Sequence, residues 1–297
     1  MEDDEVDFEC DCEDCISQKP TQPLASDCCG SGCQPCVNDL YDADIKAWKK
    51  ACFGRHHDTQ VDHKGPETKV IETNSFKSFP LEDIKCESSD TWCYKFSIPD
   101  RGSLNLDVGQ HLVLRAQVEG RFITRQYTPL YNDGIMSKYI REWKVGDMVE
   151  WRGPYSSYQY QQNKYTHLVM LAAGTGIAPM LQVIRHIVHN EEEDTFVRLL
   201  YCCRTYKDLL LRAEINQLTA FWNFTALYIL SKEDESNCHG AFGEDHYFGR
   251  LDETLVAKEL PPNTSKCQAL ICGNKSFDKD MIKYLRKLDF QGDIFKF

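Results

Sequence analysis

Three short stretches of the chain carry residue types that could act together on one ligand. The first, RQYTP at 125–129, sets an arginine, a tyrosine and a threonine within four positions. Arg125 can neutralise a diphosphate, Tyr127 can lie against the face of an aromatic ring, and Thr128 can hydrogen-bond a polar ring edge or a polyol chain. The second, AAGTGIAPM at 172–180, joins an apolar run to a helical pattern. Gly174 and Gly176 allow a tight turn, Thr175 offers a hydroxyl, and Pro179 suits the first turn of a helix. A helix N-terminus behind glycines attracts a pyrophosphate. The third, ICG at 271–273, ends another apolar run with the thiol of Cys272 beside Gly273. Each has a plainer reading: RQYTP as an exposed strand with an ordinary ion pair, the glycine turn as packing alone, and Cys272 as a structural thiol.

Cysteines form a separate feature. Eight of the 15 (Cys10, Cys12, Cys15, Cys28, Cys29, Cys33, Cys36 and Cys52) crowd the first 52 residues. The count is odd and no export signal precedes them, so the expectation is a reduced or metal-bound segment rather than a disulfide framework. Cys28, Cys33 and Cys36 follow C-x4-C-x2-C, the spacing that supplies three ligands of a two-iron cluster, with Cys52 or Cys29 as a fourth. A zinc ion and unliganded thiols are the alternatives.

The elements that must position these residues fall into three regions. Residues 1 to about 27 are acidic, poor in aromatics and interrupted by Pro20 and Pro23, which predicts disorder. DLYDADIKAWKKA predicts a short helix from the spacing of Leu40, Ile45 and Trp48, and 56–65 reads as a linker. From about 66, period-2 alternation in TWCYKFSI, HLVLRAQV, RFITRQYTPL and MVEWRGP predicts an antiparallel barrel or sandwich, interrupted by the helix-like MSKYIREWK. Beyond 165, wholly apolar strands (HLVMLAAG, FVRLLYCC, FTALYILS, QALICG) alternate with amphipathic helices and predict a doubly wound parallel sheet. The expected division is 1–65, 66–160 and 161–297. In such a sheet, ligands bind at the carboxyl ends of the strands, where the glycine turn and ICG lie.

Charge excludes some classes of function. The net charge of −12 is concentrated in residues 1–65, which hold 15 acidic and 6 basic side chains; the rest of the chain is close to balance. Nucleic acid is therefore not an expected partner. No apolar run approaches the roughly 20 residues that span a bilayer, so no membrane span is expected. The acidic start resembles neither a secretory signal nor a transit peptide, which leaves a cytoplasmic protein as the expectation.

The order RQYTP, MSKY (136–139), WRGP (151–154), AGTGIAPMLQVI (173–184), KDLLLR (207–212), ICG and IFKF (294–297) resembles the ferredoxin-NADP reductase superfamily, and within it the NADH-cytochrome b5 reductases, over about 70–297. The resemblance implies an FAD-binding barrel followed by an α/β domain for NADH or NADPH. By position, Arg125, Gln126, Tyr127, Thr128, Pro129, Met136 and Ser137 would hold FAD. Gly174, Thr175 and Gly176 would line the cleft, Cys272 and Gly273 would flank the nicotinamide, and Phe297 would close the edge, with Thr175 and Cys272 at the reacting ring. Hydride would pass from the nicotinamide to the flavin, and single electrons would pass on to a haem acceptor such as cytochrome b5. The leader CCGSGCQPCVNDLYDADIKAW resembles the oxidoreductase-like N-terminal module of some reductases. A reductase component of another electron-transfer chain, or a silent interaction protein that has lost FAD, are the competing expectations.

Two departures bear on function. The family places another barrel strand between R-x-Y-T-P and M-S, whereas six residues separate Pro129 from Met136 here, too few for a strand and its two connections. One strand is expected to be missing, at a cost set against a total stability of about 5–15 kcal/mol. Where an acidic residue would bond the ribose of NADH, LYILSKEDES offers Ser231 and Lys232, a pairing that suits the 2′-phosphate of NADPH, with Glu233 or Asp234 as the acidic alternative.

Overall fold

The computed structural model describes residues 12, 15–16, 18–25, 27, 36–56, 70–88, 91–98, 104, 106–118, 121–129, 143–156, 158–234 and 243–297. Met136, Ser137, Cys10, Cys28, Cys29 and Cys33, residues 57–65 of the expected linker and residues 136–142 of the expected helix MSKYIREWK lie outside them; Trp143 and Lys144, the last two residues of that segment, are described and are not helical.

The first folded unit is an antiparallel sheet of five strands: β1 (Lys77–Ser88), β2 (Thr91–Phe96), β3 (Gln110–Val118), β4 (Arg121–Tyr127) and β5 (Met148–Ser156). Their order is β2-β1-β5-β3-β4. Alternate residues Phe79, Leu81, Tyr94, Phe96, Leu112, Leu114, Val149 and Trp151 turn inward and form one core. Among the described residues β2 and β4 each pair on one side only, as expected of a barrel short of one strand. The sequence pattern announces no strand at β1, because beyond Leu81 both of its faces are largely exposed and the alternation of apolar and polar residues disappears.

The second unit is a six-stranded sheet in which every neighbouring pair is parallel. Its strands are β6 (His167–Ala173), β7 (Phe196–Cys203), β8 (Phe224–Leu230), β9 (Asp245–Phe248), β10 (Cys267–Cys272) and β11 (Asp293–Lys296), in the order β11-β10-β6-β7-β8-β9. Helices α2 (Ile177–Val188) and α3 (Arg212–Leu218) pack on one face, α4 (Glu253–Glu259) and α5 (Lys275–Lys287) on the other. The chain progresses outward from β6 to β9 and then returns to the other side of β6 with β10. The switch point therefore lies between β6 and β10, and it is in the crevice outside the carboxyl ends of such strands that sheets of this kind bind ligands. The four-residue edge strand β9, DHYF, is too short and polar to be read from its sequence.

The leader is more ordered at its described positions than its composition suggests. Its helix α1 (Val37–His56) outlasts the expected short segment. Cys15, from the stretch expected to be disordered, is fully buried against Trp48 and Cys52, and its carbonyl accepts the Trp48 indole N–H at 2.7 Å. Cysteines act here as small apolar side chains, supplying a core that a count of large hydrophobic residues misses. The module rests on the barrel face opposite the core, where Asp44 of α1 pairs with Arg152. A cleft of about 540 Å³ runs along this contact, lined by Lys19, Tyr41 and Trp48 on one side and by Phe76, Phe122 and Arg152 on the other, away from the strand-end loops.

Candidate active site

At the switch point the two strand-end loops touch. Cys272 and Ala172 are opposite one another in the parallel register. Beyond β6 the chain turns through Gly174, at φ +54, into a single 3₁₀ turn, Gly174–Gly176, and then into α2. A Cβ at Gly176 would lie 2.1 Å from the Cys272 carbonyl oxygen, so glycine is required for this approach. A Cβ at Gly174 would meet nothing within 4 Å, which leaves open space beside the turn for a ligand. Tyr201 fixes the loop from behind: its hydroxyl donates to the Gly174 carbonyl at 3.1 Å and accepts the Leu210 amide at 3.2 Å, joining the glycine turn to KDLLLR.

Gly176, Cys272 and Gly273 thus come together, with Thr175 in the same turn. Burial, reinforced by Asp278 and partly opposed by Lys296, pushes the Cys272 thiol up to about 12, so it meets the crevice as a neutral group. That state suits packing against a ring rather than nucleophilic attack. Phe297 lies at the same edge: its amide donates to the Ile271 carbonyl at 3.0 Å, and its ring is 5.5 Å from Tyr158 and 5.0 Å from Phe295.

RQYTP forms the end of β4 and the two residues after it. Tyr127 stands opposite Leu112 and sets its ring edgewise against Trp151, with centroids 6.1 Å apart. The Arg125 side chain is 44% exposed; it donates to the Thr124 carbonyl at 2.7 Å and reaches to 3.9 Å from Asp27 of the leader. Gln126 stands opposite Val113, Thr128 is half-buried and Pro129 is buried. An exposed guanidinium, a tyrosine braced by the barrel core and a threonine next to the domain seam fit the diphosphate, ring and polyol parts of FAD.

Two residues not foreseen from the sequence join the halves. The Gln182 side chain of α2 donates to the Pro129 carbonyl at 3.0 Å and accepts the Gly109 amide at 3.3 Å. The Tyr158 hydroxyl donates to Gln268 at 2.7 Å, and its ring packs 4.9 Å from Phe295. A sequence signal for Gln182 exists, since it is the only amide in the apolar helix IAPMLQVIRHIV.

Ser231 and Lys232 follow β8 and are exposed. Their backbone amides donate to the Cys203 and Arg204 carbonyls, at 3.1 and 2.8 Å. The carboxylate of Glu233 accepts the Tyr206 amide, so this acidic group is turned toward the protein. Cys36 opens α1, its amide donating to Asp39 at 2.7 Å. Among the described residues no group of three or more His, Cys, Asp or Glu is arranged to hold a metal ion, and no helix is long and apolar enough to cross a membrane.

Comparison with known proteins identifies related domains. Residues 78–160 match the oxidoreductase FAD-binding domain, 170–283 the oxidoreductase NAD-binding domain, and 14–55 the N-terminal domain of oxidoreductase-like proteins. The chain is 35% identical over 301 residues, 95% of either chain, to a Mus musculus protein named NADH-cytochrome b5 reductase-like. It is 35% identical over 287 residues, 90% of either chain, to the Homo sapiens protein of that name. The cytochrome b5 reductase domain of Ulva prolifera nitrate reductase superposes with a TM-score of 0.65 at 22% identity, covering 77% of this chain and all of that one. With FAD-binding and NAD-binding domains in series behind a cysteine-rich module, the chain belongs to the NADH-cytochrome b5 reductase-like family of oxidoreductases.

Proposed function

We propose that the protein takes hydride from NADH or NADPH onto FAD and delivers single electrons to a haem protein such as cytochrome b5. The observation that carries this reading is the contact between Gly176 and the Cys272 carbonyl at the switch point, on the helix that Gln182 ties to the carbonyl of Pro129. It supports a dinucleotide crevice beside the end of β4, where Tyr127 and Thr128 lie. FAD would supply the conversion of a two-electron donor into one-electron steps. Arg125 would neutralise its diphosphate, and Tyr127 and Thr128 would hold its ring and chain. Thr175, Gly176 and Cys272 would shape the floor on which the nicotinamide lies, and the neutral thiol adds no charge there. The names of the mouse and human relatives support the cytochrome b5 assignment.

Glu233 is held by the Tyr206 amide, whereas Ser231, Lys232 and the acidic Asp234 are all exposed at the end of β8; the cation at Lys232 favours a 2′-phosphate, and Asp234 is the exposed acidic group that would suit a ribose hydroxyl. NADPH should therefore be accepted alongside NADH. Lys232→Asp should lower kcat/KM for NADPH about tenfold or more while sparing NADH; equal effects on both coenzymes would remove Lys232 from the site.

Among the described residues β2 and β4 are edge strands, which favours a second reading, in which the shortened barrel no longer retains FAD and the chain serves only as a partner for other proteins. Flavin content and a ferricyanide assay with NADH separate the two. The expected result is less than one FAD per chain as purified, with reductase activity that rises on adding FAD. Protein that remains inactive in saturating FAD would establish the silent reading instead.

A further inference from the structure

The geometry points to Gln182 as the positioning residue that sets the distance between the flavin strand and the nicotinamide loop, an inference that rests on the hydride-transfer reading above. One carboxamide bridges two backbone groups of the barrel. Its N–H donates to the Pro129 carbonyl at 3.0 Å, one residue past Thr128, and its oxygen accepts the Gly109 amide at 3.3 Å, just ahead of β3. A carbonyl demands a donor and an amide N–H demands an acceptor, so only one orientation of the carboxamide satisfies both. Gln182 lies on α2, the helix that opens directly from the Gly174–Gly176 turn, which in turn abuts the Cys272 carbonyl. A short, continuous path therefore runs from Thr128 through Pro129, Gln182 and the first turns of α2 to Gly176 and Cys272.

The barrel side of this bridge has little freedom. Gly109 has φ +82, and a Cβ there would lie 2.5 Å from the Tyr158 carbonyl oxygen. Tyr158 is itself 3% exposed and fixed by Gln268, Phe295 and Phe297 of the second domain. The Gly109 turn is thus pinned between Tyr158 and Gln182. The Gln182 amide links the end of RQYTP to α2. Loss of the Gln182 amide would leave the domains in contact through Tyr158 but would free the flavin strand to shift against the nicotinamide loop. Hydride transfer is acutely sensitive to such a shift, since a misplacement of about 1 Å can cost on the order of a hundredfold in rate.

Two variants test this. Gln182→Leu keeps the bulk and removes both hydrogen bonds. Gln182→Glu keeps the acceptor for Gly109 but can donate to the Pro129 carbonyl only when its carboxyl is protonated. In FAD-loaded protein at saturating NADH, Gln182→Leu is expected to slow flavin reduction about 10- to 100-fold while FAD affinity and KM change less than about twofold. Gln182→Glu should be slow at pH 8 and recover relative to wild type as pH falls toward 5.5. A second readout needs no flavin: the Gly109 amide should exchange with solvent about tenfold faster in Gln182→Leu and remain protected in Gln182→Glu. Wild-type rates in a folded Gln182→Leu, or a Gln182→Glu that parallels wild type at every pH, would overturn the role. If Gln182→Leu does not fold, the Glu variant and its pH profile decide. A wild-type protein that binds FAD but is never reduced by NADH would instead sink the functional reading, whatever the exchange of Gly109 shows.

Discussion

Gly176→Ala is expected to reduce NADH:ferricyanide turnover at least about a hundredfold in FAD-loaded protein. The added methyl would lie 2.1 Å from the Cys272 oxygen, 2.6 Å from its carbonyl carbon and 3.2 Å from the Gly273 nitrogen. All three atoms are backbone at the end of a central strand whose residues Ala269, Leu270 and Ile271 are wholly buried, so no side chain can swing aside. To restore an ordinary contact of about 3.4 Å, one loop must move by about 1 Å relative to the other, and both loops border the proposed nicotinamide position. The overpacking should also cost about 1–3 kcal/mol of stability, readable as a lower denaturant midpoint. Gly174→Ala is the control. It meets nothing within 4 Å and suffers only the strain of φ +54, about 1–2 kcal/mol, so its turnover should fall far less. Near-normal turnover in Gly176→Ala would mean that the two loops do not form one site.

Asp44→Ala is expected to destabilise the protein by about 3 kcal/mol, although Asp44 belongs to the leader and lies far from the strand-end loops in sequence. Its partner Arg152 is a barrel residue whose side chain is only 4% exposed, with its guanidinium 4.6 Å from the Phe76 ring centroid. The Arg152 Nη1 donates to Asp44, while its Nε and Nη2 are buried without a hydrogen-bond partner among the described residues. The neighbouring Arg115 adds a second cation 4.2 Å from Phe76, but Glu150 holds it by two hydrogen bonds of 2.9 and 2.6 Å. Removing Asp44 would therefore strand a buried charge, a change that typically costs about 3–5 kcal/mol. The low end applies because the Asp44 side chain remains 31% exposed. Such a loss is a large share of the usual total of about 5–15 kcal/mol. Adding Arg152→Met to Asp44→Ala should recover most of it, since an apolar pair needs no counter-charge. Urea unfolding of the single and double variants checks both values. A change within about 0.5 kcal/mol for Asp44→Ala would mean that the leader is merely tethered to the barrel.

Most of the second domain is legible in its sequence because its central strands are predominantly apolar and each long helix has one apolar face. The ends of β6, β7, β8 and β10 fall within about one residue of where the pattern places them, and that placement locates the crevice. RQYTP and AGTGIAPM are legible for a different reason, since their glycines, proline and charged side chain have few uses in such an order. The barrel is harder to read. Strand β1 loses its alternation after Leu81, and the pairing that leaves β2 and β4 as edges depends on contacts distant in sequence. Least legible are the links between units. Gln182 bonds backbone atoms that any sequence would present, and the partnership of Asp44 with Arg152 spans 108 positions. The burial of Cys15 against Trp48 and Cys52 likewise emerges only when the chain is folded.

The central claim is that the crevice beside Cys272 and the strand bearing Tyr127 face one another closely enough for hydride to cross. Anaerobic mixing of FAD-loaded protein with NADH, normal or deuterated at the transferred position, tests it most directly through the flavin absorbance near about 450 nm. Bleaching that is slower with the deuterated coenzyme is the expected result. Protein that holds a full complement of FAD, binds NADH and shows no bleaching would contradict it.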